Sequence, residues 1–192
     1  MAYCRFASLH YLTLDARLSE MPTSFNHVSV HARDLDQSAA FYELLFGMRS
    51  MPTPRFAFPV RWLRLGSQQL HLFVRPEVIA PPHHHFALNV DDFEAVYWTA
   101  CREELLDGDA FYSALYELPD GSAQMYVRDP ADNLVEIDWP DANTLHPRIR
   151  ADLTSLSAAV PQDASALDAT LFHAGASPAL PDGPLRVEDS GS

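Results

Sequence analysis

Four side chains set the chemical question: His27, His71, His85 and Glu136. Neutral imidazole nitrogens and carboxylate oxygens are the donors that zinc, manganese, nickel and ferrous iron take. Two histidines with one carboxylate form the facial set that leaves positions open at non-haem iron. Glu136 is the most informative of the four. Its neighbours Leu134, Val135, Ile137 and Trp139 are apolar, which places it in a partly buried strand. A buried carboxylate without compensation is costly, so it needs a proton or a cation. A metal held by imidazoles meets that need; a plain ion pair with Arg64 is the alternative. A single histidine on a strand is more often a packing or surface residue, and His10, His31, His146 and His173 are read that way.

The elements that must position these groups repeat. His27-Val28-Ser29-Val30 and His85-Phe86-Ala87-Leu88-Asn89-Val90 each open on a histidine and run into an acidic helix start. The first continues through Arg33-Asp34-Leu35 to Phe41-Tyr42, the second through Asp91-Asp92-Phe93 to Val96-Tyr97. An internal repeat constrains the architecture before any single element is assigned. The first half reads as strand 25–32, helix 35–46 and strands near 57–65 and 68–74. The second reads as strand 85–90, helix 92–105 and strands near 111–118, 123–128 and 133–138. Asp34 and either Asp91 or Asp92 are the expected N-caps, and Gly47 the stop of the first helix.

Alternation along each strand then sorts side chains by face. Val28, Leu70, Leu72, Phe86, Leu88, Met125, Val127, Val135 and Ile137 share the parity suited to packing on helices. The opposite parity collects His27, His71, His85, Tyr126 and Glu136, with Gln124 and Asp138 in the same rows. With both helices on one side, the other side is free to curve around a pocket. A one-residue slip in the strand after His83-His84 would put His84 there instead of His85.

Composition narrows the function. A formal charge of -13 argues against nucleic acid or an anionic membrane as partner. All 13 basic residues are arginine, which excludes Schiff-base chemistry on lysine. Cys4 and Cys101 form no redox or metal motif, so a reduced, cytoplasmic protein is expected. No apolar run is long enough to span a bilayer. Arg5, His10, Asp15, Arg17 and Glu20 break the stretch a signal peptide needs. Residues 1–23 read as an extension outside the repeat, with Met21 an alternative start. The core runs over 24–142, in modules 24–75 and 83–142. Residues 143–192 read as a solvated tail: a short amphipathic helix through Ile149, Leu153 and Leu156, then largely disorder.

The repeat resembles the vicinal-oxygen-chelate superfamily of glyoxalase I, fosfomycin-resistance enzymes, bleomycin-binding proteins and extradiol dioxygenases. The resemblance covers roughly 24–140. It rests on the two histidine-led segments and, most specifically, on Tyr126-Val127-Arg128-Asp129-Pro130-Ala131-Asp132-Asn133-Leu134-Val135-Glu136. Ala131-Asp132-Asn133 departs mildly from the usual Asp-Gly-Asn type of turn. The resemblance implies an α+β fold: two βαβββ modules forming one cupped mixed sheet with helices on the outer face. It implies a metal triad of His27, His85 and Glu136, a small-molecule substrate and a homodimer. His71 falls where glyoxalase I has a further ligand, usually Glu. In extradiol enzymes an acid–base histidine serves the site, and a tyrosine precedes the liganding Glu as Tyr126 does.

These features favour a non-haem Fe(II) extradiol-type ring-cleaving dioxygenase, with His71 and Tyr126 catalytic and Trp62, Arg64 and Phe73 lining the pocket. A second histidine expected of many extradiol enzymes is absent from Phe111–Leu118. The alternative is a glyoxalase-type isomerase or lyase, or a thiol transferase, using Mn(II), Ni(II) or Zn(II) as a Lewis acid. A non-catalytic binder of the bleomycin-resistance type ranks third.

Overall fold

The computed structural model describes residues 25–75, 77 and 79–171. The expectations for residues 1–23, for the last residues of the tail, and for His10 and His173 lie outside the described residues. In the first module, β1 (His27–Ala32) leads into α1 (Leu35–Phe46), followed by β2 (Arg49–Met51), β3 (Val60–Leu65) and β4 (Gln68–Val74). In the second, β5 (His85–Asn89) leads into α2 (Phe93–Arg102), then β6 (Leu115–Glu117), β7 (Ala123–Arg128) and β8 (Leu134–Trp139). After α3 (Pro147–Asp152), β9 (Thr154–Ser155) adds a last short strand. The strand orders are β1-β4-β3-β2 and β5-β8-β7-β6-β9, two hydrogen-bonded sheets of an α+β fold. In both modules the first strand pairs in parallel with the last, and the others are antiparallel.

Local chemistry sets the helix ends. Asp34 accepts from the backbone N–H groups of Asp36 and Gln37, and Asp92, not Asp91, from that of Ala95. These bonds satisfy donors that the first turn leaves without partners. Gly47 closes α1 in the left-handed region at φ 62°, and its N–H reaches the Glu43 carbonyl. A Cβ at that φ is strained, which is why the stop is a glycine.

Three elements differ from the sequence reading. β2 had no counterpart in it: three residues of mixed polarity carry no alternation signal, and pairing with β3 alone defines them. α2 ends at Arg102, and Glu104 turns the chain at φ 56°. The strand expected over 111–118 shrinks to β6, because the Asp107 carboxylate accepts from the N–H groups of Asp109 and Ala110 and holds the preceding segment as a loop.

The aliphatic parity forms one core across both modules. Leu63, Leu70 and Leu72 pack with Tyr42 and Leu45 of α1, while Met125, Val127, Val135 and Ile137 pack with Phe93 and Val96 of α2. The tail is not simply solvated. Leu145 and Ile149 are buried in the same core, and β9 pairs in parallel with β6, Tyr116 opposite Thr154.

The turn from β7 to β8 joins the modules. Asp129 accepts from the N–H groups of Ala131 and Asn133 and from the Asn133 amide, and also from the Tyr42 hydroxyl of α1 at 2.9 Å. The Asn133 amide donates to the His31 carbonyl at 2.7 Å, and Arg33 pairs with Asp132. Asp132 sits at φ 65°, a left-handed position that glycine adopts more readily.

Candidate metal centre

Strand register places the four groups in matched pairs. On β1 and β4, His27 lies opposite Gln69 and Ser29 opposite His71. On β5 and β8, His85 lies opposite Leu134 and Ala87 opposite Glu136. His71 therefore stands to His27 as Glu136 stands to His85, two residues along the neighbouring strand on the same face. His84 precedes β5, so the slipped register is not the one adopted.

Each pair is in contact. His85 Nε2 is 3.3 Å from Glu136 Oε2. The His27 and His71 rings stack with centroids 4.2 Å apart, and Trp62 stacks on the other face of His71 at 4.4 Å and 6°. Phe73, 6.4 Å from His71, extends this apolar floor. His27 and His85 also line one cavity of about 480 Å³ at the seam between β1 and β5. Among the described residues, no three His, Cys, Asp or Glu side chains converge as a metal cluster. The structure thus brings the donors together as two pairs, of which only His27 and His85, on the edge strands β1 and β5, line the shared cavity.

Hydrogen bonds fix which nitrogen each imidazole presents. His85 Nδ1 is 2.9 Å from the His83 carbonyl, an acceptor, so Nδ1 carries a hydrogen and Nε2 is the nitrogen it presents. His27 Nδ1 is 2.8 Å from Asn26 Oδ1, with the same consequence. His71 is held the other way, by Nε2 at 2.8 Å from Gln69 Oε1. A donor nitrogen held by a backbone or side-chain oxygen, with the other nitrogen bare, is the arrangement of metal-ligating histidines. Burial, then the nearby His27, lowers the His71 pKa.

Glu136 and Asp138 are both buried on one face of β8. Burial and the Glu136 charge push Asp138 up to about 7. Gln124 on β7 donates to Glu136 Oε1 at 2.7 Å and to Asp138 Oδ1 at 3.2 Å, and accepts from the Tyr126 hydroxyl at 3.2 Å. Burial and the Glu136 carboxylate raise the Tyr126 pKa, so the phenol stays protonated. Phe111, from the loop before β6, lies against His85 and Tyr126, centroids 5.6 and 4.9 Å away. Arg64 does not pair with Glu136: its Nε donates to the Gly66 carbonyl, and its side chain is exposed.

Chemically, the His85 and Glu136 pair is a donor pair that a divalent metal accepts. His85 Nε2 and Glu136 Oε2 face each other at 3.3 Å, an arrangement that a proton or a cation between them satisfies. Sequence reasoning missed Gln124, Asp138 and Phe111 as parts of this site. The parity of Gln124 and Asp138 was the available signal; for Phe111, in a loop, there was none.

Residues 24–137 match the family model of the Glyoxalase/Bleomycin resistance protein/Dioxygenase superfamily. The chain belongs to this superfamily. No curated protein matches it. Among solved structures, a glyoxalase family protein from Bacillus anthracis is similar at 22% identity and a TM-score of 0.50, over 62% of this chain and 96% of that one. A glyoxylase/bleomycin resistance protein/dioxygenase domain from Frankia sp. EAN1pec is similar at 16% identity and a TM-score of 0.52, over 61% and 91%. The solved structure of Oxidase ChaP-H2 is similar at 24% identity and a TM-score of 0.50, over 62% and 94%. These likenesses establish the superfamily fold. Superfamily members generally use a divalent metal and bind small molecules. No described helix is long and apolar enough to cross a membrane.

Proposed function

We propose that this chain is a metal-dependent enzyme, a non-haem Fe(II) ring-cleaving dioxygenase of extradiol type, with His27, His85 and Glu136 as ligands. One observation carries the reading: Nε2 of His85 faces Glu136 Oε2 at 3.3 Å while its Nδ1 is held by the His83 carbonyl. His27 presents its Nε2 in the same way from the opposite edge.

Bound iron would supply the redox chemistry and chelate the two oxygens of a vicinal diol. The chain's own residues bind and orient the substrate. The cavity at the β1–β5 seam is within the usual range for small-molecule sites, and one planar ring fits it. Trp62 and Phe73 lie outside that cavity's lining and pack around His71, which they hold in place. With Nε2 donated to Gln69, His71 keeps Nδ1 as a proton acceptor for a substrate hydroxyl. Tyr126 holds its hydrogen within the Gln124–Glu136 cluster and offers its oxygen as an acceptor. Phe111 packs edge-on against His85, whose side chain stays accessible to substrate. A homodimer is part of the proposal.

The second reading is a glyoxalase-type isomerase with Ni(II) or Zn(II). The register favours it in one respect, because His71 holds the position relative to His27 that Glu136 holds relative to His85. The test combines elemental analysis of anaerobically prepared wild type and Glu136→Ala with oxygen uptake over a panel of catechols. Iron in the wild type alone, with oxygen consumed, is the expected result. Fe(II)-loaded wild type that consumes no oxygen with any catechol would sink the dioxygenase reading. Oxygen-independent isomerase turnover with Ni(II) would replace it with the second.

A further inference from the structure

Glu136 and Asp138 place two carboxylates on consecutive inward positions of β8, each 6% exposed. Antiparallel register sets Gln124 of β7 directly opposite Asp138, and Tyr126 opposite Glu136. The Gln124 side chain spans the gap. Its Nε2 lies 2.7 Å from Glu136 Oε1 and 3.2 Å from Asp138 Oδ1, both ordinary hydrogen-bond distances. The amide orientation is dictated by chemistry, since turning its oxygen towards two carboxylates would set acceptor against acceptor. The oxygen that remains accepts from Tyr126 at 3.2 Å. One amide thus organises three buried side chains.

The effect on Glu136 is specific. Oε1 is occupied by Gln124, while Oε2 is turned to His85. We propose that Gln124 is a positioning residue that ties Glu136 to Asp138 through Oε1 and so makes Glu136 a one-oxygen donor to the metal. The inference rests on the proposed role of Glu136 as a ligand. Nothing in the protein's proposed activity requires Gln124 to touch substrate; it acts through Glu136. Without the amide, the freed Oε1 would compete with Oε2 for the metal, and Asp138 would repel Glu136. Partners that orient a ligand in this way typically change metal affinity by about 10–100-fold when removed.

The test is titration of the apo full-length chain with Co(II), followed by its visible absorption, which reports coordination number. Gln124→Met keeps the length of the side chain and removes the amide. It is expected to bind Co(II) about 10–100-fold more weakly and with an altered spectrum. Gln124→Asn retains polarity but is too short to span both carboxylates, so it should weaken binding as well and serves if the methionine variant does not fold. Adding Asp138→Asn to Gln124→Met supplies a new amide beside Glu136, and part of the affinity should return. Wild-type Co(II) affinity and spectrum in both single variants would overturn the role of Gln124 while leaving the metal centre intact. A wild type that does not bind Co(II), or Glu136→Ala binding as tightly as wild type, would overturn the metal reading and this inference with it.

Discussion

His27 and His71 lie ring to ring, yet their hydrogen bonds give them different chemistry. His27 is anchored through Nδ1 and presents Nε2; His71 is anchored through Nε2. Removing a ligand and removing a proton acceptor therefore have separable consequences. His27→Ala is expected to lose bound iron on elemental analysis. His71→Ala is expected to keep its iron and lose about 10²–10⁴-fold in turnover, the usual worth of a positioned acid or base. Iron lost equally from both variants would instead make His71 a ligand. The rows that hold these residues were legible in the sequence because a strand has a period of two. Thus Val135 and Ile137 point to the core, and Glu136 to the other side. The choice of nitrogen was not legible. It depends on Asn26, His83 and Gln69, whose oxygens act through distances that no pattern of polarity encodes.

Element by element, the sequence anticipated α1, β1, β4, β5, β7 and β8, each carrying a clear period or a cap. It failed where a tertiary bond overrides local preference, as in the loop before β6. Arg128 Nε donates to Asp107 Oδ2 at 2.7 Å and ties that loop to β7. Burial raises the Asp107 pKa, but the N–H of Ala110 and the Arg128 guanidinium outweigh it, and the net direction is down. A carboxyl with a lowered folded pKa stabilises the protein above its ordinary range, and that contribution fades as pH falls through the folded value. Thermal melts of wild type and Asp107→Asn should therefore differ most near neutrality and converge below about pH 4. A gap that stays constant with pH would show that the ion pair is not the cause.

At the scale of the molecule, the segment after β8 belongs to the body of the protein. Ile149 of α3 has no exposure, in a chain region whose composition reads as solvated. The sequence signalled a short amphipathic helix through Ile149, but not that its apolar side packs into the core of the two modules. Ile149→Ala is expected to cost about 2–5 kcal/mol in urea denaturation, as for other buried large-to-small changes; a loss below about 0.5 kcal/mol would mark a surface position. The joint between the modules has a further consequence. Tyr42 with Asp129, and Asn133 with the His31 carbonyl, bind partners 87 and 102 residues apart, while the covalent link between the modules runs through residues 75–84. The long-range joint is thus carried chiefly by the β7–β8 turn, with one further bond from Arg128 to the Pro82 carbonyl of the connecting segment. Cut between residues 75 and 84, the two halves should recognise each other as a split protein and co-purify after separate expression. Tyr42→Phe should weaken that reassembly more than it weakens either fragment alone, turning a joint inside one chain into a measurable affinity between two.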